Sequence, residues 1–156
     1  RRHTRLLTVT GVQTCALPIF AIKDFDQTVR TSTDMAMGWT NRCRAYLIVG
    51  RLDEALRDCN EALKLEPNFV NRMLKSGQVS AIEHRGLVHL KAGRWDLAIA
   101  DLDDALVLTP ESAEVLYSRG IVKSKLGDQA AGNADMARAS KIQGDIADRL
   151  AAFGIK

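Results

Sequence analysis

The chain has 156 residues, with 22 Lys+Arg against 19 Asp+Glu, 46% hydrophobic, 26% charged and 5% aromatic residues. That suits one domain with a sizeable core and excludes the disordered, collagenous and disulfide-scaffold classes. No run of 18 apolar residues occurs, so no membrane-spanning helix is expected, while few Pro and many Ala, Leu, Asp and Arg favour helices.

Residues 1–19 stand apart. Arg1-Arg2-His3-Thr4-Arg5 and the apolar stretch Leu6 to Phe20 imitate a signal peptide, but Thr8, Thr10, Gln13 and Thr14 interrupt the apolar run and no small-x-small site follows. Back-translated, Val9 to Ile19 resembles one frame of a common short-read sequencing adapter. Residues 1–19 are therefore expected to be non-native and disordered, as in a metagenomic fragment. They hold Arg1, Arg2 and Arg5 and no acid, so the remainder of the chain is neutral and has no basic bias towards nucleic acid.

From Phe20 onward the chain repeats. Gly50-Arg-Leu-Asp-Glu-Ala-Leu to Pro67 aligns with Gly93-Arg-Trp-Asp-Leu-Ala-Ile to Pro110, and Arg85-Gly86 recurs as Arg119-Gly120 after 34 residues. Ala21 to Arg30 reads as the second helix of a half unit, 20–35, whose Ile22, Phe25 and Val29 lose cover without a first helix. Full units follow at 36–69, 79–112 and 113–146, separated by an insertion at 70–78, and a capping helix and tail occupy 145–156. Within a unit, Trp39, Cys43, Tyr46 and Leu47 share one helical stripe and Ala55, Leu56, Cys59, Ala62 and Leu63 the next. Gly50 and Gly93 suit helix ends, and Pro67 and Pro110 separate one hairpin from the next. Ser76-Gly77 is expected to break the chain just before a capping box, Ser80-Ala-Ile-Glu83.

These residues resemble the tetratricopeptide repeat family, whose period is 34 residues. The first unit matches at Trp39, Tyr46, Ala55, Ala62 and Pro67, and the second at Gly86, Ala98, Ala105 and Pro110. The third keeps Gly120 and Ala139 but has Gly132 and Gly144 where Ala and Pro belong, a decay that suits a terminal repeat. Most similar are bacterial repeats with Asn-Arg-Gly in the first helix. The resemblance implies an all-α, right-handed solenoid of helix hairpins, about three and a half repeats plus a capping helix. It implies a non-catalytic scaffold that binds another protein's peptide or helix in a concave groove; the compartment, bacterial cytoplasm or periplasm, is left open. Carried over by position, that groove comprises Thr40, Asn41, Arg44 and Ile48, then Glu83, His84, Leu87 and Lys91, then Tyr117, Ile121, Ser124 and Lys125. The carboxylate clamp of chaperone-tail binders is not expected, because its positions are held here by Thr40, Arg44, His84, Glu114 and Ser118.

Charge also repeats. Arg42, Arg85 and Arg119 share one register, and Asp24, Asp58, Asp101 and Asp135 another. A charge present in every unit serves the stack, so an ion-pair ladder of Arg42–Asp58, Arg85–Asp101 and Arg119–Asp135 is expected rather than an anion site. Cys43 and Cys59 read by default as small buried hydrophobes, with a disulfide left open as the option that needs an oxidising compartment. His89 reads as packing and His84 as exposed, and Trp39 and Trp95 as core. No metal-ligand spacing, phosphate loop or nucleophile elbow occurs, so no metal, cofactor, catalytic residue, nucleic acid or membrane insertion is expected. Two alternatives to the scaffold are the C-terminal accessory arm of a truncated larger enzyme and, more weakly, a self-assembly module joined through the open N-terminal repeat.

Overall fold

The computed structural model describes residues 12–65 and 76–155. Among the described residues the fold is all-α: α1 (Val12–Thr31), α2 (Ala36–Ile48), α3 (Leu52–Leu65), α4 (Ser76–Lys91), α5 (Trp95–Leu108), α6 (Ala113–Lys125), α7 (Gln129–Ile142) and α8 (Ile146–Ala152). Helices α2–α3, α4–α5 and α6–α7 form three hairpins. Each second helix packs on the next first helix, and α2, α4 and α6 lie side by side along an inner face.

Local chemistry sets the hairpin turns. Gly50 and Gly93 adopt φ of +80° and +71°, a left-handed conformation that costs a residue with a Cβ. After each, the Arg51 and Arg94 amides donate back to the carbonyls of Tyr46 and His89, closing Schellman-type ends. Ser112 and Asp128 cap α6 and α7, accepting from the amides of Val115 and Ala131. Small residues let the hairpins close: Ala55, Ala98 and Ala105 are fully buried in one core with Leu47, Leu87, Leu102, Leu116 and Val122, and Ala62 is fully buried in a smaller one with Ala36 and Ala81.

Several features differ from the sequence expectations. Residues 12–19 are helical rather than disordered, because α1 starts at Val12; once a helix is nucleated, extending it by further turns is cheap. Ile22 and Val29 are buried against the first hairpin rather than stripped of cover, whereas Ile19 and Phe20 face solvent. Of the insertion, 70–75 lie outside the described residues, and Ser76-Gly77 begins α4 instead of breaking the chain, so Ser80 falls inside the helix and not at its cap. Gly132 is a packing requirement rather than a decayed Ala. It meets Gly120 across the α6–α7 hairpin, and a Cβ at Gly132 would stand 2.6 Å from the Gly120 carbonyl oxygen.

Cys43 and Cys59, read by default as free thiols, form a disulfide with a Cα separation of 5.4 Å. Their facing positions on α2 and α3 bring the two sulfurs together inside the hairpin, where both side chains are fully buried.

The arginines connect the hairpins. Arg42 donates through Nε and Nη2 to both carboxylate oxygens of Asp58 (2.6 and 2.9 Å), and through Nη1 to Asp26 of the preceding helix (2.8 Å). Arg85 grips Asp101 at 2.9 and 2.6 Å and reaches back to the Asn60 side-chain oxygen at 3.0 Å. Arg119 grips Asp135 at 2.7 and 2.9 Å and reaches back to Asp103 at 2.8 Å. Each guanidinium thus serves its own hairpin with two donors and the previous one with a third. The hydrogen bonds to Asp58 and Asp135 lead in raising the pKa values of Arg42 and Arg119. Burial pushes the Asp135 carboxyl up, but Arg119 and Lys123 outweigh it and the net shift is down. Asp24, in the ladder register, is exposed, and Asp26, two residues on, is the acceptor that corresponds to Asn60 and Asp103.

Two measurements follow from these contacts. With the Asp101 side chain 8% and Arg85 29% exposed, Arg85→Ala orphans a buried carboxylate and is expected to cost about 3 kcal/mol in urea unfolding. A loss below about 1 kcal/mol would mean that the pair behaves as a solvated one. Reduction should expose two further thiols in denaturant, and Cys43→Ser with Cys59→Ser should lower stability by about 3 kcal/mol, the entropic worth of a loop of this size. A thiol count that reduction leaves unchanged would rule the cross-link out.

Candidate functional site

The inner face is built from one side of α2, α4 and α6, three helices held parallel because each opens a hairpin of the same design. At their N-terminal ends, Met37, Thr40, Asn41, Arg44, Ser80, Glu83, His84 and Glu114 line one polar cleft, and Arg149 of α8 closes it. At their C-terminal ends, Leu90, Lys91, Ile121 and Lys125 line a hollow together with Trp95, and Gly154 and Ile155 of the C-terminal segment complete its wall.

The C-terminal segment therefore lies along the inner face. Ile146 and Leu150, one turn apart, bury the same side of α8, and Ile155 is buried after a bend at Gly154, φ +73°. Lys91 Nζ donates to the Phe153 carbonyl at 2.6 Å and to the Leu47 carbonyl at 3.1 Å. One ammonium thus joins the last turn of α8 to the last turn of α2. The Arg44 guanidinium lies 5.7 Å from the Phe153 ring centroid, a cation–π distance. Burial lowers the Lys91 pKa.

Electrostatics in the polar cleft are uneven. Burial, helped by neighbouring Glu114 and opposed by Arg44, raises the Glu83 carboxyl to about 8. Burial and Arg44 push His84 down to about 3, against a hydrogen bond with the Thr40 backbone. His84 is thus neutral at neutral pH, and its Nδ1 is buried without a hydrogen-bond partner.

The expected groove residues divide. Asn41, Arg44 and Glu83 line the polar cleft and Lys91, Ile121 and Lys125 the hollow. Thr40 and His84 border the cleft but are buried, so His84 is not the exposed side chain expected, and the Thr40 hydroxyl is spent on the Ala36 carbonyl. Leu87 is enclosed in the core and cannot meet a ligand. Ser124 points at α7, bonding the Gly120 carbonyl and closing on Gly132. Tyr117 packs against the core, and Ile48 is half-buried and lines neither recess. Trp39 and Trp95 are half-buried rather than enclosed; Trp39 donates to the Thr33 carbonyl and stacks under Arg42. Sequence reasoning missed Arg149, Phe153 and Ile155. The apolar spacing of Ile146, Leu150 and Ile155 was the available signal, but a capping helix gives the same one.

Among the described residues no group of three or more His, Cys, Asp or Glu side chains is placed to hold a metal ion, and no helix is long and apolar enough to cross a membrane.

Residues 36–69 match the tetratricopeptide repeat family. A stretch of 58 residues is 36% identical to the heat shock protein sti1 homolog of Schizosaccharomyces pombe, covering 37% of this chain and 10% of that protein. The chain spans only that tenth of the relative's length. Among solved structures, a crystal structure of MamA is similar with a TM-score of 0.68 at 14% identity, over 96% of this chain and 83% of that one. A second crystal structure of MamA protein gives 0.65 at 18% identity, over 87% and 69%. The MamA RS-1 ArsTM double mutant gives 0.65 at 20%, over 85% and 71%. At these identities the likeness is one of fold: a tetratricopeptide-type helical repeat.

Glu83 and His84 act on stability in opposite pH windows. Glu83 is raised above its ordinary value of 4.5, so its contribution is complete below that value and is lost as pH rises through about 8. His84 is lowered from 6.5, so its contribution is present above 6.5 and is lost as pH falls towards about 3. Arg44, Glu114 and Arg149 are the other charged groups at the cleft. Between pH 6.5 and 8.5 the melting temperature of the wild-type chain should therefore fall, and Glu83→Gln should flatten that slope. Equal slopes in the two proteins would show that the Glu83 carboxyl titrates as in water.

Proposed function

We propose that the chain is a non-catalytic interaction scaffold whose inner face, lined by α2, α4 and α6, binds a peptide or helix of another protein. The observation that carries this reading is the paired character of that face. A hollow around the apolar side chains of Leu90, Trp95 and Ile121 lies beside a cleft carrying both signs of charge, with Arg44 and Lys125 exposed at the rims. Such a surface offers aliphatic anchoring and polar register to an extended or helical segment. It carries no uniform basic track with stacking aromatics of the kind single-stranded nucleic acid requires.

The tetratricopeptide repeat match at 36–69 supports the same reading. The ladder of Arg42, Arg85 and Arg119 with Asp58, Asp101 and Asp135 belongs to the scaffold rather than to the ligand site, since each of the three nitrogens of each fork bonds within the stack. The buried Cys43–Cys59 bond favours an oxidising compartment.

The test is selection of a displayed random-peptide library on the immobilised full chain, followed by fluorescence anisotropy of the recovered peptides. Arg44→Glu or Lys125→Glu, both at exposed rim positions, should weaken binding about tenfold, or roughly 1.4 kcal/mol. Leu97→Asp, on the exposed outer surface of α5, should leave it unchanged. Peptides bound equally by all three variants would place recognition elsewhere and overturn the reading.

A further inference from the structure

The last ten described residues, Ile146-Ala-Asp-Arg-Leu-Ala-Ala-Phe-Gly-Ile155, do more than cover the end of a repeat array. A cap needs only to shield α6 and α7, the hairpin that would otherwise be open. This segment instead reaches the first hairpin, through Lys91, which holds the Phe153 and Leu47 carbonyls together, and through Phe153 against Arg44. Its aliphatic side chains are nearly inaccessible: Ile146 and Leu150 are 1% exposed and Ile155 4%. Ala147, Asp148, Arg149, Ala151 and Ala152 between them face solvent. The pattern is that of an amphipathic ligand, buried at positions i, i+4 and i+9.

Its hold is also the kind that can be released. Helix α8 has seven residues, too few to persist once undocked. Its end is fixed by local bonds, Phe153 and Ile155 N–H to Leu150 and Gly154 N–H to Ala151, and by the single Lys91 ammonium. The chain before it, Gln143 to Asp145, includes the exposed Gly144, at which an added Cβ would meet no atom within 4 Å.

Resting on the scaffold reading above, we infer that residues 146–155 are an intramolecular stand-in for the groove's partner. The partner is an amphipathic helix of another protein carrying two aliphatic residues four apart and a third five further on, beyond a turn whose carbonyl meets Lys91. It binds by displacing the chain's own segment. A tethered segment acts at a high effective concentration, so the free groove is a minor population and the apparent affinity for a partner falls by that fraction.

The probe is a fluorescein-labelled peptide with the sequence of residues 143–156, titrated against the full chain. Wild type should bind it weakly. Leu150→Asp and Ile155→Asp, which unseat the tethered segment without altering the groove, should bind it at least about tenfold more tightly. Adding Arg44→Glu to either should remove the gain. Equal binding by wild type and variants overturns the stand-in but leaves the groove reading intact. Variants that fold by circular dichroism and bind library-selected peptides but not this one overturn it likewise; variants that bind neither overturn both readings. Should both substitutions prevent folding, hydrogen exchange on the wild-type chain decides. The amides of Phe153, Gly154 and Ile155 should exchange at least about tenfold faster than that of Val122 in α6. Exchange of all four only with global unfolding would make the segment an integral part of the core and end the proposal.

Discussion

Each hairpin of this array is fastened to its neighbours by a guanidinium that has three jobs at once. Arg42, Arg85 and Arg119 each close their own hairpin with a bidentate grip on an Asp sixteen residues on, and each spends a remaining donor on the preceding helix. A planar fork is suited to this, because its donors diverge at fixed angles and lose little freedom when bound. Lysine could hold one acceptor as a point charge but could not fix the angle between two hairpins. The inner face exists only because α2, α4 and α6 keep that common angle, so the groove depends on these contacts although none of them faces it. Desolvation makes such pairs weak sources of net stability; their consequence here is registry, one hairpin set against the next.

Half of this fastening could be read in the sequence. Arg and Asp recurring at one separation in every unit pointed to a pair within the hairpin, since the spacing across a two-helix turn is fixed. The second acceptor was not legible. Asp26, Asn60 and Asp103 lie two residues beyond Asp24, Asp58 and Asp101, so the pattern was present, but its meaning depends on how one hairpin leans on the next. The repeat register likewise marked out the hairpins but misjudged the starts of α1 and α4, which begin at Val12 and Ser76, where a cooperative helix runs past nominal breakers such as Gly77. Gly132 looked like decay because a family pattern records residue types rather than the distance between two backbones.

The groove was legible only in outline. A helical face spans roughly a third of the circumference, and residues at its edges fall to one neighbour or another according to the packing angle. Leu87 went to the core and Ser124 to α7 for that reason, while Arg44 and Lys125 stayed at the rim because long cationic side chains carry their heads outward. The disulfide was undecidable from spacing, since two Cys positions that permit contact do not establish it.

The concave face and the C-terminal segment illuminate each other. An inner face of this curvature leaves Ile121, Leu90 and the edge of Trp95 facing the same hollow, and apolar surface of that kind is costly to leave in water. A chain can meet that cost by narrowing the groove, by associating with a second copy, or by laying its own tail there. Here the tail buries Ile146, Leu150 and Ile155, the last of them at the hollow, and Lys91 supplies the polar contact that a helix end requires. Burying Glu83 and His84 in the adjoining cleft is the electrostatic counterpart. Both are held near neutrality, so the surface beneath the tail carries less charge than its residues would suggest, and an amphipathic helix can rest on it without stranding an ionised group. A face that accommodates such a helix from its own chain has already solved the geometric and electrostatic problem of accommodating one from another.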